Sequence, residues 1–258
     1  MGAMLAALLT SLMAIQDPKP TPPPPAAEQG PKVEVPADPP KPVEAWDDRT
    51  AKAAIEEFSK AVKGTPSMNV KNKALEALST GSHKLLVKPL ATIVETDKSV
   101  LIRKRAAELI ANQPAAEANA TIRKLLKSPK VRTQYAVTAE LVRALTRSGY
   151  QPAQWKEIHD LFEAEYHVDR VPVQEAVLQL IETHKEKQAI DLLLRNLDEP
   201  SPKDVHAGEN PPAEYWEARW KSWAIWRDKV KSALFSLTGQ RFSTAAEAKA
   251  WLDKNPLK

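Results

Sequence analysis

The chain has 258 residues, 43% hydrophobic and 27% charged, with 37 basic against 33 acidic side chains and no cysteine. That length and apolar share suffice to bury a core, as one large domain or two small ones. The excess of +4 is too small to be the footprint of a nucleic-acid binder, and the absence of cysteine excludes disulfides, thiolate metal sites and a cysteine nucleophile.

Residues 3–15 (AMLAALLTSLMAI) form a mostly apolar run. It matches the apolar segment of an export signal and is too short to span a bilayer as a helix. Residues 1–16 therefore read as a signal peptide, although Met1-Gly2-Ala3 supplies no Lys or Arg. A retained anchor or a buried apolar helix are the alternatives. Cleavage would leave no transmembrane span and an exported protein, in the periplasm or cell envelope or secreted. Residues 17–47 differ abruptly, because 11 of the 22 prolines lie between Pro18 and Pro42. Such a stretch lacks donors for a helix and apolar mass for a core, and reads as a disordered linker.

A domain is expected over 48–254. Asp47 or Asp48 caps a first helix that runs to about Lys63, and Gly64-Thr65-Pro66-Ser67 stops it and caps the next. From Ala54 one apolar signature recurs, with offsets of 4, 7 and 8 that put all four side chains on one helical stripe. Its instances are Ala54/Phe58/Ala61/Val62, Val70/Ala74/Ala77/Leu78, Leu86/Leu90/Ile93/Val94, Ile102/Ala106/Leu109/Ile110 and Ala118/Ile122/Leu125/Leu126. They start 16 residues apart, so a two-helix unit repeats every 32 residues, the mark of a helical solenoid. Gly81-Ser82, Asp97-Lys98-Ser99, Gln113-Pro114 and Ser128-Pro129 punctuate the run, and Pro89 should kink the third helix.

Beyond Leu126 the interval is lost and the stripe persists. Val131/Tyr135/Thr138/Ala139 predicts one longer helix ending at Ser148-Gly149, and Trp155/Ile158/Leu161/Phe162, Val173/Val177/Leu180/Ile181 and Ile190/Leu193/Leu194/Leu197 follow. Residues 198–212, with four prolines, read as a loop insertion. Trp216/Trp220/Trp223/Ala224 and Trp226/Val230/Ala233/Leu234 then give two stripes about 80° apart. With no Pro or Gly between them, one long helix is expected. Gly239 ends it, and Thr244 to Glu247 caps a short last helix. The expected core includes Leu86, Leu90, Ile93, Ile102, Ala106, Leu109, Leu125, Leu126, Val131, Trp220, Trp223 and Trp251. The tryptophans are expected to cover the open end of the array.

Leu125-Leu126-Lys127-Ser128-Pro129-Lys130-Val131-Arg132 resembles a HEAT repeat, as do Asp97 to Arg103 with Ala106-Ala107, and Pro89 within a first helix. Leu237-Thr238-Gly239-Gln240-Arg241-Phe242 with Trp251 downstream is similar to the C-terminal signature of exported bacterial HEAT-repeat proteins, although Leu252 stands where a second aromatic is expected. The resemblance covers roughly 48–254. It implies an all-α fold: a right-handed α-solenoid of about five helix pairs with a short C-terminal capping helix. It also implies an inter-repeat Asp–Arg ladder holding Arg103 and Arg132, and a concave face that engages another protein.

No chemistry stands out. Gly64, Gly81, Gly149 and Gly239 fall at helix ends, which leaves no phosphate-cradling loop, and no cofactor is predicted. His159 and Glu163 are i,i+4 neighbours that could hold zinc only with a third ligand. No nucleophile elbow is present, and paired carboxylates such as Glu56/Glu57 read as solvated surface. Charge is uneven along the chain. Residues 83–132 carry eleven basic against four acidic residues, net +7, and residues 153–200 carry five against eleven, net −6. Lys84, Lys88, Lys104, Arg105, Arg123, Lys124, Lys127 and Lys130 are the candidate partner contacts. The expectation is a non-enzymatic exported scaffold or adaptor binding another protein. The alternatives are an enzyme or enzyme accessory on a helical-repeat fold, and an anionic polymer or nucleic acid bound by 83–132.

Overall fold

The computed structural model describes residues 43–164, 166–202 and 207–257, all within the unit Lys41–Lys258. The signal-like residues 1–16, the linker up to residue 42 and residues 203–206 of the insertion lie outside the described residues.

The described chain starts with β1 (Glu44–Ala45), paired in parallel with β2 (Gly81–Ser82). Glu44 and Trp46 donate their N–H groups to the carbonyls of Thr80 and Ser82. These residues were expected in the linker; a two-residue pair has no period to read. Gly81 is required here, because a Cβ on it would lie 2.1 Å from the Trp46 ring. Gln113 donates to the Gly81 carbonyl and accepts the His83 N–H, which fixes this segment from the far side.

Twelve α-helices follow among the described residues. Asp47, Ser67, His83 and Ser99 cap α1 (Asp48–Ala61), α2 (Met68–Leu78), α3 (Lys84–Thr96) and α4 (Val100–Ile110), each accepting a first-turn N–H. α5 (Ala115–Lys127) follows Pro114. The longer helix expected from Val131 is divided into α6 (Pro129–Arg132) and α7 (Tyr135–Arg147). Gln134 leaves helical geometry at φ −111°, ψ 78°. The Val131 carbonyl accepts from the Gln134 N–H and the Thr138 hydroxyl, and the Lys130 carbonyl from Arg103. Side chains thus satisfy acceptors that a continuous helix would have used.

α8 (Trp155–Glu163), α9 (Val171–His184) and α10 (Ile190–Arg195) are each preceded by a three-residue 3-10 turn. α11 (Ala213–Thr238) is one unbroken 26-residue helix, ended by Gly239 at φ +70°. α12 (Ala245–Lys254) is capped by Thr244, whose hydroxyl accepts the Glu247 N–H, and the Glu247 carboxylate reaches back to the Ser243 N–H.

The fold is all-α apart from the two short strands. α1 packs on α2, α3 on α4, α5 on α6 and α7, α8 on α9 and α10 on α11. A second set of contacts runs α2–α4–α7–α9–α11, and a third α1–α3–α5. Leu86, Leu90, Ile102, Ala106, Leu109, Leu125, Leu126, Val131 and Trp223 are buried in one continuous core. Ile93 and Trp251 are half-buried, the latter against Phe242 at 5.7 Å. Trp220, expected in the core, is 45% exposed, because only the C-terminal stripe of α11 is fully covered. In α2 the buried set is Ala74, Leu75 and Leu78, while Val70 and Ala77 face outward.

Two buried arginines recur at equivalent places. Arg103 donates through Nε to the Val94 carbonyl at 2.6 Å, in the last turn of α3, and Arg170 through Nη2 to the Leu161 carbonyl at 2.7 Å, in the last turn of α8. Each supplies donors and positive charge to a helix C-terminus. The Asp–Arg ladder expected from the resemblance is not formed among the described residues: Arg103 bonds the Val94 and Lys130 carbonyls. Asp97 pairs with Lys71 at 2.6 Å, and Arg132 is exposed. Among the described residues no helix is long and apolar enough to cross a membrane.

Candidate functional site

The eight basic candidates do not converge on one groove. Lys84, Lys88 and Lys124 line a cavity of about 420 Å³ between α3 and α5, where Glu95 and Glu117 offset them. Arg123 grips the Glu157 carboxylate with two hydrogen bonds, 3.1 and 2.8 Å, and Lys127 joins it at 2.8 Å. Lys104 and Arg105 lie on α4, in the other set of helices, and Arg105 pairs with Glu108 at 2.7 Å. Lys130 is exposed on α6. The sum of charge along 83–132 is therefore distributed over different surfaces and partly neutralised by α8.

The Glu157 cluster carries a pH dependence. Its hydrogen bond to Arg123 is the largest cause, and together with Lys127 it holds the carboxyl at about 2, against an ordinary 4.5. A depressed folded-state value means the stabilisation is present above about 4.5 and is lost as pH falls toward 2. With the side chain one-third exposed, solvent screening leaves on the order of 1 kcal/mol. In urea titrations from pH 6 to pH 2, Glu157→Gln should flatten the acid loss of stability by about that amount. Curves of wild type and variant that stay parallel would exclude it.

The His159 neighbourhood forms an ion-pair cluster. Glu163 pairs with Arg195 at 2.9 Å and His159 at 3.4 Å, and His159 also contacts Arg195 at 3.1 Å. Among the described residues no group of three His, Asp or Glu side chains is arranged to hold a metal ion. Beside it, Tyr166 and Trp216 flank the Arg219 guanidinium at 5.0 and 5.7 Å, and burial pushes the Tyr166 hydroxyl up to about 12.

The tryptophans divide by depth. Trp226 is fully buried and Trp223 nearly so, donating respectively to Gln174 at 2.9 Å and to the Asn196 carbonyl at 3.1 Å. Trp220 donates to Glu199 at the surface. They act mainly as core and as a tie to the chain after α10.

Two adjoining cavities along α11 combine charged side chains that make no ion pair among the described residues with an exposed aromatic ring. One, of about 390 Å³, is lined by Arg143, Glu175, Gln179, Glu182, Asp228 and Lys229. The other, of about 440 Å³, lies between the C-terminal half of α11 and the turn after Gly239, lined by Lys231, Leu234, Phe235, Arg241 and Phe242. Asp228 and Ser232 line both, so the two meet along α11 and flank its exposed side as a shallow groove on either hand. Glu175 is paired with Lys229 at 2.8 Å and Arg143 with Glu140 at 3.4 Å. Sequence reading missed this groove. Its only local sign was the Leu237 to Phe242 motif, whose Arg241 and Phe242 form one wall.

Compared with models of known protein families, with curated proteins and with solved structures, the chain gives no match.

Proposed function

We propose that the chain is a non-enzymatic scaffold or adaptor that binds another protein, built as an exported HEAT-repeat array. In this reading the pairs α1/α2, α3/α4, α5/α7, α8/α9 and α10/α11 stack as a right-handed α-solenoid, and α12 caps its end. Contacts within each pair and along α2–α4–α7–α9–α11 support it, as does the arginine that twice closes the last turn of a first helix. The apolar run 3–15 before a proline-rich linker supports export.

The observation that carries the reading is the groove on the α7–α9–α11 side, which offers charged and aromatic groups to a partner. A photo-crosslinking side chain replacing Gln179, exposed on α9, should trap a discrete protein adduct in intact cells. The same probe replacing Glu56, exposed on α1, should trap none. No adduct at Gln179, or equal trapping at both positions, would sink the scaffold reading. Fractionation of the same cells should place the protein outside the cytoplasm; a wholly cytoplasmic chain would remove the export part.

A further inference from the structure

Charge along the groove is uneven. Glu182 lines the cavity against α9 and Asp228 lines both, Lys231 and Arg241 line the one at the turn, and none of the four makes an ion pair among the described residues. The cationic end has an aromatic floor. Phe235 is 44% exposed and, with Trp220 and Ile225, is one of three large apolar side chains that α11 leaves open among the described residues. Phe242 forms the wall beside it. The Arg241 guanidinium lies over the Phe235 ring, 5.4 Å from its centroid. Arg241 makes no side-chain hydrogen bond or ion pair among the described residues, so its N–H groups can meet a carboxylate while the ring holds the cation.

We infer that this groove binds the C-terminal end of a partner polypeptide, taking an apolar last side chain on Phe235 and Phe242 and its free carboxylate on Arg241 and Lys231. The proposal rests on the scaffold reading and specifies the part of the partner that is held. A chain terminus is the occupant because anion and apolar group must be seated almost at one point. The terminal residue carries both on a single Cα, whereas an acidic side chain would need a neighbour to supply the ring contact. Binding a carboxylate by a guanidinium adds geometric selectivity to charge attraction. The acidic end then selects a basic residue upstream. Asp228 and Phe235 are seven positions apart on α11, about 10 Å, which an extended peptide covers in about three residues.

The test uses the full chain and fluorescence anisotropy with a labelled peptide. The peptide carries a lysine, a spacer of about two glycine or serine residues and a C-terminal phenylalanine with a free carboxylate. Saturable binding is expected, weakened about tenfold or more by amidating the C-terminus. Arg241→Ala should weaken the free-acid peptide by a similar factor and leave the amidated one unchanged. Asp228→Asn with Glu182→Gln should weaken only peptides that carry the lysine. These side chains lie at the groove surface, and an unchanged circular-dichroism melt will show that the variants are folded. No saturable binding, equal affinity for acid and amide, or indifference to Arg241→Ala would overturn the proposal. The Gln179 crosslink separates the two readings. If the peptide results are negative while the Gln179 adduct persists in Arg241→Ala, the terminus-binding proposal falls and the scaffold reading stands.

Discussion

Trp226→Ala is expected to cost about 5 kcal/mol of folding stability, the largest effect of any single truncation in the domain. The indole is fully buried, meets Phe162 edge-on at 5.3 Å and donates to Gln174 at 2.9 Å. Gln174, itself fully buried, passes the link on to the Phe162 carbonyl at 3.3 Å. Truncation opens a cavity worth about 3–5 kcal/mol and strands the Gln174 oxygen, which adds about 1–3 kcal/mol. Such a loss approaches the whole stability of an ordinary domain, so the alanine variant should be largely unfolded at 37 °C. Trp226→Phe keeps a ring against Phe162 but loses the N–H and part of the indole, so its cost should be smaller, about 2–4 kcal/mol. Urea unfolding followed by far-ultraviolet circular dichroism measures both. A loss below about 1 kcal/mol for alanine would mean that α11 is not docked on α8 and α9 as described.

How legible this was in the sequence varies along a single helix. Trp226/Val230/Ala233/Leu234 has the same spacing as Trp216/Trp220/Trp223/Ala224, yet the first stripe is buried throughout and the second places Trp220 at the surface. Spacing fixes which side chains share a face. It does not say how far the neighbouring helix extends to cover that face. In α2 the same signature is offset, and Leu75 is buried in place of Val70 and Ala77. Caps were easier to read because their chemistry is local: Asp47, Ser67, Ser99, Thr244 and Gly239 each act within one helical turn.

Surfaces were harder to read, for a related reason. The basic run 83–132 is continuous in the chain, yet its members alternate between two sets of helices, and Glu157, more than 20 residues beyond the run, neutralises two of them. The α7–α9–α11 groove has the opposite character. Glu182, Asp228 and Arg241 are distant in sequence and share no motif, and stacking of separate helices brings them together. Charge summed along a segment is therefore a poor guide to charge summed over a face when helices alternate sides.

Arg103→Ala is expected to cost about 4 kcal/mol, and Arg132→Ala less than about 0.5 kcal/mol, although the HEAT resemblance places both in one ladder. Arg103 is 7% exposed, and its burial lowers the guanidinium pKa against the opposing pull of Asp97 and Glu95. It binds the Val94 carbonyl at 2.6 Å and the Lys130 carbonyl at 3.0 Å, joining the end of α3 to the start of α6. Alanine leaves the buried Val94 carbonyl without this donor, worth about 1–3 kcal/mol, releases the part-buried Lys130 carbonyl at a smaller cost, and removes the packing of the guanidinium stem. Arg103→Lys should recover only part of the loss, because one ammonium cannot reproduce the spacing of Nε and Nη2 toward two carbonyls. Arg132 is exposed, and its removal strands nothing. The effect should also be localised. Hydrogen exchange in Arg103→Ala should quicken first at residues 128–134, where the freed Lys130 carbonyl no longer holds the break between α6 and α7. Equal destabilisation by Arg103→Ala and Arg132→Ala would restore the ladder and remove the carbonyl-capping role assigned to Arg103.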